Sequence, residues 1–200
     1  MDEIIIVDTG STDNTKEIAA QYTSRIYDFK WTSDFSAARN FSFSKATMEY
    51  IYTADADEIL DDANRERFLR LKDALLPEIE IVQMKYVTQG TFDTVLNAKK
   101  EYRPKLFRRL RTFTWIDPIH ETVRLTPVTF DSDVEILHCP QSLHSKRDFS
   151  IFIKAFEHDG QFSPKIRTMY AKELLKTGDK KDFTDAKPIF QLIFDNDPAD

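Results

Sequence analysis

The stretch EYIYTADADE, residues 49–58, decides how the chain is read. Tyr50, Ile51 and Tyr52 have the aromatic and β-branched character of a strand, and they run straight into Asp55, Asp57 and Glu58. The carboxyl end of a strand is the edge at which open α/β sheets bind their ligands. Alternation along an extended chain sets Asp55 and Asp57 on one side and Ala54 and Ala56 on the other, so two carboxylates converge with no bulky side chain between them. Hard oxygen ligands of this kind suit Mg2+ or Mn2+, which would bridge a diphosphate and neutralise its charge as it leaves. A lone D-x-D is more often a helix cap and a solvated acidic turn, so the surrounding sequence has to decide.

Upstream, EIIIVD (residues 3–8) is a β-branched run suited to a parallel strand buried on both faces, and it ends in the turn-prone TGSTDN. A helix through KEIAAQY, capped by Thr12 or Asp13, and a short strand in SRIYDF follow. Residues 34–46 form a second helical stretch that leads into the decisive strand. Alternation of this kind predicts a parallel α/β sheet with crossover helices.

Downstream, the amphipathic RERFLRLKDALL is closed by Pro77, and EIVQMKYV returns as a strand. KLFRRL, FTWI, HETVRL and VEILH read as strands of an antiparallel or mixed region, with Pro104, Pro118 and Pro127 expected at ends and connections. Three helical segments, near 148–157, 165–176 and 183–194, complete the chain. The expected division is 1–145 for the α/β unit and 146–200 for a helical segment whose last two helices look like one tetratricopeptide-like unit.

Composition narrows the classes. Of 200 residues, 41% are hydrophobic and 31% charged, which suits an ordinary globular core, and no apolar run is long enough to cross a bilayer. The net charge of −6 argues against a nucleic-acid binder, since phosphate binding needs a broad positive footprint. Against that background KKEYRPKLFRRLR, residues 99–111, is locally basic and suits either an anionic partner or a solvated strand face. The lone Cys139 fits a reducing compartment, so the expected location is the cytoplasm, free or peripheral at a membrane.

Three motifs, VDTGSTDNT, FSAARN and ADADE, occur in an order and spacing that resemble the family 2 glycosyltransferases of the GT-A fold. The resemblance is to bacterial members with a later HE and tetratricopeptide helices behind the catalytic domain, and it covers roughly residues 2–140. It implies transfer of a sugar from a nucleotide-diphosphate donor, UDP-linked by expectation, with inversion at the anomeric carbon. The resemblance leaves the acceptor open among a glycan, a lipid and a protein. It also implies roles: Asp8 for the nucleotide base, Arg39 beside it, Asp55 on the ribose or the metal, and Asp57 as direct ligand of a divalent cation. Glu121 corresponds to the base that deprotonates the acceptor, with His120 orienting it, and His138 to a histidine completing the metal site. Here Cys139 and Pro140 follow His138, where the family more often has glycine and an aromatic residue.

The family's usual first strand should precede residue 2 and lie between the strands that end at Asp8 and Asp55. Its absence from this sequence gives the expectation of a misplaced or trimmed start with roughly forty residues ahead of Met1. The competing expectation is a non-catalytic remnant that serves as a binding or interaction module. A nucleotidyltransferase is disfavoured, because four glycines supply no Gly-rich phosphate loop.

Overall fold

The computed structural model describes residues 1–88, 100–109, 115–120, 122–123, 127–139 and 145–196. β1 (Ile6–Asp8) and β2 (Ile26–Asp28) pair in parallel across helix α1 (Thr15–Ala19). The cap of α1 falls on Asn14 and not on Thr12 or Asp13, although Asp13 accepts the Thr15 N–H at 3.1 Å and so supports the first turn. α2 (Phe35–Lys45) starts where expected, because Asp34 accepts the Ala37 N–H at 3.1 Å and the Ser36 hydroxyl at 2.7 Å.

The main sheet holds β3 (Tyr50–Tyr52), β4 (Glu58–Ile59), β5 (Ile81–Thr88), β6 (Lys100–Arg108) and β9 (Thr129–His138), in the order β3-β6-β5-β9-β4. β7 (Trp115–Ile116) and β8 (Thr122–Val123) form a separate hairpin-like pair. Among the described residues the parallel pairs are β1 with β2 and β5 with β9; the others are antiparallel. The sheet is therefore mixed, as expected from a parallel first half and an antiparallel or mixed region after Pro77. Pro104 does not sit at a strand end as expected but inside β6. Val82 faces Leu106 while Gln83 faces Pro104, so Lys105 is the extra residue of a bulge. Proline has no N–H for the ladder, and a bulge is where a sheet tolerates it.

Helix α3 (Asp62–Ala74), capped by Asp61 through the Asn64 N–H at 2.8 Å, covers one face of this sheet. Val82, Met84, Val134 and Ile136 are fully buried there against Phe68 and Leu71, each burial contributing about 1.5–3 kcal/mol. A second core joins α4 (Ser145–Asp159), α5 (Pro164–Thr177) and α6 (Lys180–Asn196) through Phe152, Tyr170 and Ile189, and it takes in Ile119, Trp31 and Phe35 from earlier in the chain. No helix among the described residues is long and apolar enough to cross a membrane.

Among the described residues β1 pairs with β2 alone and β3 with β6 alone, which leaves one edge of each unpaired. Between these edges runs a groove of about 340 Å³, lined by Ile4, Ile5, Val7, Phe43, Ile51 and Ala54 among others.

Candidate active site

The chain leaves β3 after Tyr52 and turns. The Thr53 N–H still bonds the Lys105 carbonyl at 2.8 Å, and then the Glu58 N–H bonds the Asp55 carbonyl at 3.1 Å. Asp55 and Asp57 are thus presented by a turn and not by strand alternation. Both line one cavity of about 950 Å³, shared with Arg39 of α2, Lys105 of β6, His120 and His138. Within it the two carboxylates have different partners. Asp55 lies 3.2 Å from the Arg39 guanidinium and 3.7 Å from the Lys105 ammonium, whereas Asp57 Oδ2 lies 3.1 Å from His138 Nε2.

His138 reaches Asp57 because the two-residue β4 pairs Glu58 with His138 and the Cys139 N–H bonds the Asp57 carbonyl at 2.8 Å. Sequence reading missed β4, since two residues carry no period. It also missed Lys105. The bulge turns this lysine inward, where its side chain is 5% exposed and paired with Glu58, itself 2% exposed. The signal was present: a proline inside a basic strand marks the point at which the ladder must break. Arg103, from the same basic run, lies 3.9 Å over the Tyr86 ring, and Tyr86 also packs on the His138 ring at 4.9 Å. Among the described residues Lys105 pairs with Asp55 and Glu58, and Arg103 with Glu101.

Charge and burial act in opposite directions here. Burial raises the Asp55 carboxyl, but Arg39 and Lys105 outweigh it and hold the group below the usual carboxylate range. For Glu58 burial wins, aided by the Asp55 charge and opposed by Lys105, so its carboxyl sits above the usual range. Burial also pushes the Tyr86 hydroxyl strongly up, with the neighbouring carboxylates adding to it. His138 Nδ1 is buried and has no hydrogen-bond partner among the described residues.

Asp8 is buried at the end of β1, where it accepts the N–H groups of Gly10 and Ser11, both at 3.1 Å, and lies 3.6 Å from Lys16. The Ser11 hydroxyl foremost, then the turn amides and Lys16, overcome burial and lower its pKa. Its neighbours Val7 and Thr9 line the groove between β1 and β3, which Arg39 and Asp55 line too. The guanidinium of Arg39 also lies over the Trp115 ring at 5.2 Å. Glu121, the expected base, lies outside the described residues; its neighbour His120 is in the cavity wall.

Comparison with known proteins adds the following. The chain is 31% identical over 105 residues to the SPbeta prophage-derived glycosyltransferase SunS of Bacillus subtilis, covering 50% of this chain and 25% of the relative. It is 39% identical over 71 residues to a poly-beta-1,6-N-acetyl-D-glucosamine synthase of Staphylococcus epidermidis, covering 30% and 16%. It is 45% identical over 60 residues to a TPR repeat-containing protein of Synechococcus elongatus, covering 30% and 15%. The chain thus spans a quarter or less of the length of these curated relatives. Among solved structures it is similar to TarS of S. aureus, with a TM-score of 0.48 at 11% identity over 90% of this chain and 39% of that one. Residues 1–126, more than half of the 200, match the model for glycosyl transferase family 2. The chain therefore belongs to this family, and its mixed sheet with flanking helices fits the GT-A fold.

Proposed function

We propose that the chain transfers a sugar from a nucleotide-diphosphate donor, UDP-linked, to an acceptor held in the 950 Å³ cavity, with inversion and with help from a divalent cation. The observation that carries this reading is the convergence of Arg39, Asp55, Asp57 and His138, distant in sequence, on that one cavity.

The donor set suits Mg2+ or Mn2+. Asp57 Oδ2 and His138 Nε2 are hydrogen-bonded to each other at 3.1 Å, so a carboxylate and an imidazole stand side by side at the cavity. Among the described residues no three His, Cys, Asp or Glu side chains are grouped to hold a metal alone. Such ions are commonly held by one or two protein groups while substrate phosphates and water complete the shell. When bound, the cation supplies Lewis-acid neutralisation of the departing diphosphate. Asp55, held by Arg39 and Lys105, would orient the ribose. Asp8 retains lone pairs beyond those its turn amides use and would accept the base's imide N–H, with Arg39 nearby. Glu121 would take the acceptor's proton as the acceptor oxygen attacks the anomeric carbon from the face opposite the leaving diphosphate, which inverts that centre. We assign residues 1–145 to the transferase unit and 146–200 to a helical segment whose described helices pack against it, in the cytoplasm or peripheral at a membrane.

Calorimetric titration with UDP and Mn2+ tests this. Saturable, metal-dependent binding that weakens about tenfold or more in Asp57→Ala is the expected result. A well-folded sample that binds neither would instead support the non-catalytic reading.

A further inference from the structure

The loop after β7 is strained. Asp117 (φ 71°) and His120 (φ 52°) both occupy the left-handed region without being glycine. Backbone of this kind persists only where the surroundings over-determine it. Three contacts do so. Lys165, in the first turn of α5, donates to the His120 carbonyl at 2.9 Å and lies 3.4 Å from Asp117 Oδ2. Ile119, 3% exposed, is inserted among Phe149, Phe152, Ile166 and Tyr170. The Pro118 carbonyl accepts the Phe35 N–H at 2.9 Å, at the start of the helix that carries Arg39. The loop is therefore tied to the helical segment on one side and to α2 on the other, with His120 in the cavity wall between them.

We propose that Lys165 is a positioning residue. From the C-terminal helical segment its ammonium clasps Asp117 and the His120 carbonyl, and so fixes the strained loop that forms part of the cavity wall. Without the clasp the two left-handed residues relax toward ordinary backbone and His120 swings out of register with the acidic turn. Its bearing on sugar transfer rests on the function proposed for the cavity; the clasp itself does not.

Four forms of the full chain test the clasp: wild type, Lys165→Met, Lys165→Arg, and Lys165→Met with Asp117→Gly. Amide hydrogen exchange is followed in residues 115–120 and, as a control, in residues 164–177. Lys165→Met should exchange about tenfold faster in the loop with α5 unchanged. Lys165→Arg should keep wild-type protection. Added to Lys165→Met, Asp117→Gly should recover most of it, because glycine adopts positive φ without strain. In a Trp31→Phe background the emission of Trp115, two residues before Asp117, should shift in Lys165→Met and return in Lys165→Arg. Equal loop protection in wild type and Lys165→Met, equal loosening of α5, or no recovery with Asp117→Gly overturns the proposal. None of these measurements needs a donor, so they fail independently of UDP binding.

Discussion

Glu58 and Lys105 meet with both side chains almost fully withdrawn from water. Removing one member of such a pair leaves a buried charge unpaired, at a cost of about 3–5 kcal/mol. Lys105→Met should therefore lower the stability measured by urea unfolding at pH 7 by about 3 kcal/mol, and Lys105→Met with Glu58→Gln should recover part of the loss. The pH dependence has a definite sign. The Glu58 carboxyl is already raised by burial, and losing Lys105 raises it further. A raised carboxyl favours the folded state most at pH values below its ordinary range, so the deficit of Lys105→Met should shrink as pH falls from 7 toward 5. Tyr170 is the converse case. It stacks on Phe152 at 4.5 Å, fully buried, and its hydroxyl has no hydrogen-bond partner among the described residues. Tyr170→Phe keeps the ring and removes an unpaired polar atom, so the variant should be as stable as wild type or more so, by about 1 kcal/mol. Burial, then the charges of Asp182 and Asp185, push the phenol up to about 12. Its neutral form therefore favours folding below the ordinary tyrosine value, and this contribution is lost as pH rises through 12. Thermal melts between pH 9 and about 11 should fall less in Tyr170→Phe than in wild type.

The long periodic elements could be read directly from sequence. α2, α3, α5 and α6 follow from apolar spacing, with Pro77 closing α3, and β1 and β5 from their β-branched runs. β4 and the first half of β9 could not. β4 is two residues long, and TFDSD at the start of β9 is polar, yet it pairs in parallel with β5 because the burial of Val134 and Ile136 further along fixes the register. The site shows the same division. That Arg39 and Asp55 serve one site was legible only through the family resemblance that FSAARN and ADADE carry. That Asp55 would turn to arginine and lysine while Asp57 turns to histidine depends on a turn, a bulge and a two-residue strand, none of which has a periodic signature. Pairing also predicts dynamics. β1 has three residues and, among the described residues, one partner strand, with a groove on its other edge, while the eight-residue β5 is paired along seven residues on each side. Amide exchange should be fastest in β1 and β2 and slowest in β5, by at least about a hundredfold under native conditions. Protection of Val7 equal to that of Met84 would mean that the β1 edge is covered in solution.

At the scale of the molecule the question is whether the helical segment is an independent unit. The interior argues that it is not. Ile119 belongs to the core of α4, α5 and α6, and Trp31 and Phe35 pack against that core, although all three precede the expected division at residue 145. Trp115, four residues before Ile119, belongs to the core under the sheet with Ile81 and Phe107. Separating the segments would expose Ile119, Trp31 and Phe35 together, at about 1.5–3 kcal/mol for each large apolar side chain. That sum is comparable to the whole stability of an ordinary domain, about 5–15 kcal/mol. The two tryptophans supply separate probes, Trp31 for the helical core and Trp115 for the sheet. In Trp115→Phe and Trp31→Phe single variants, unfolding monitored by the remaining tryptophan should have the same midpoint as far-UV circular dichroism of the same protein. Sheet and helices should melt as one cooperative body. Two separated midpoints, with Trp31 changing before Trp115, would show that the helices undock while the sheet stays folded, and the strained loop at residues 117–120 would then be the hinge between them.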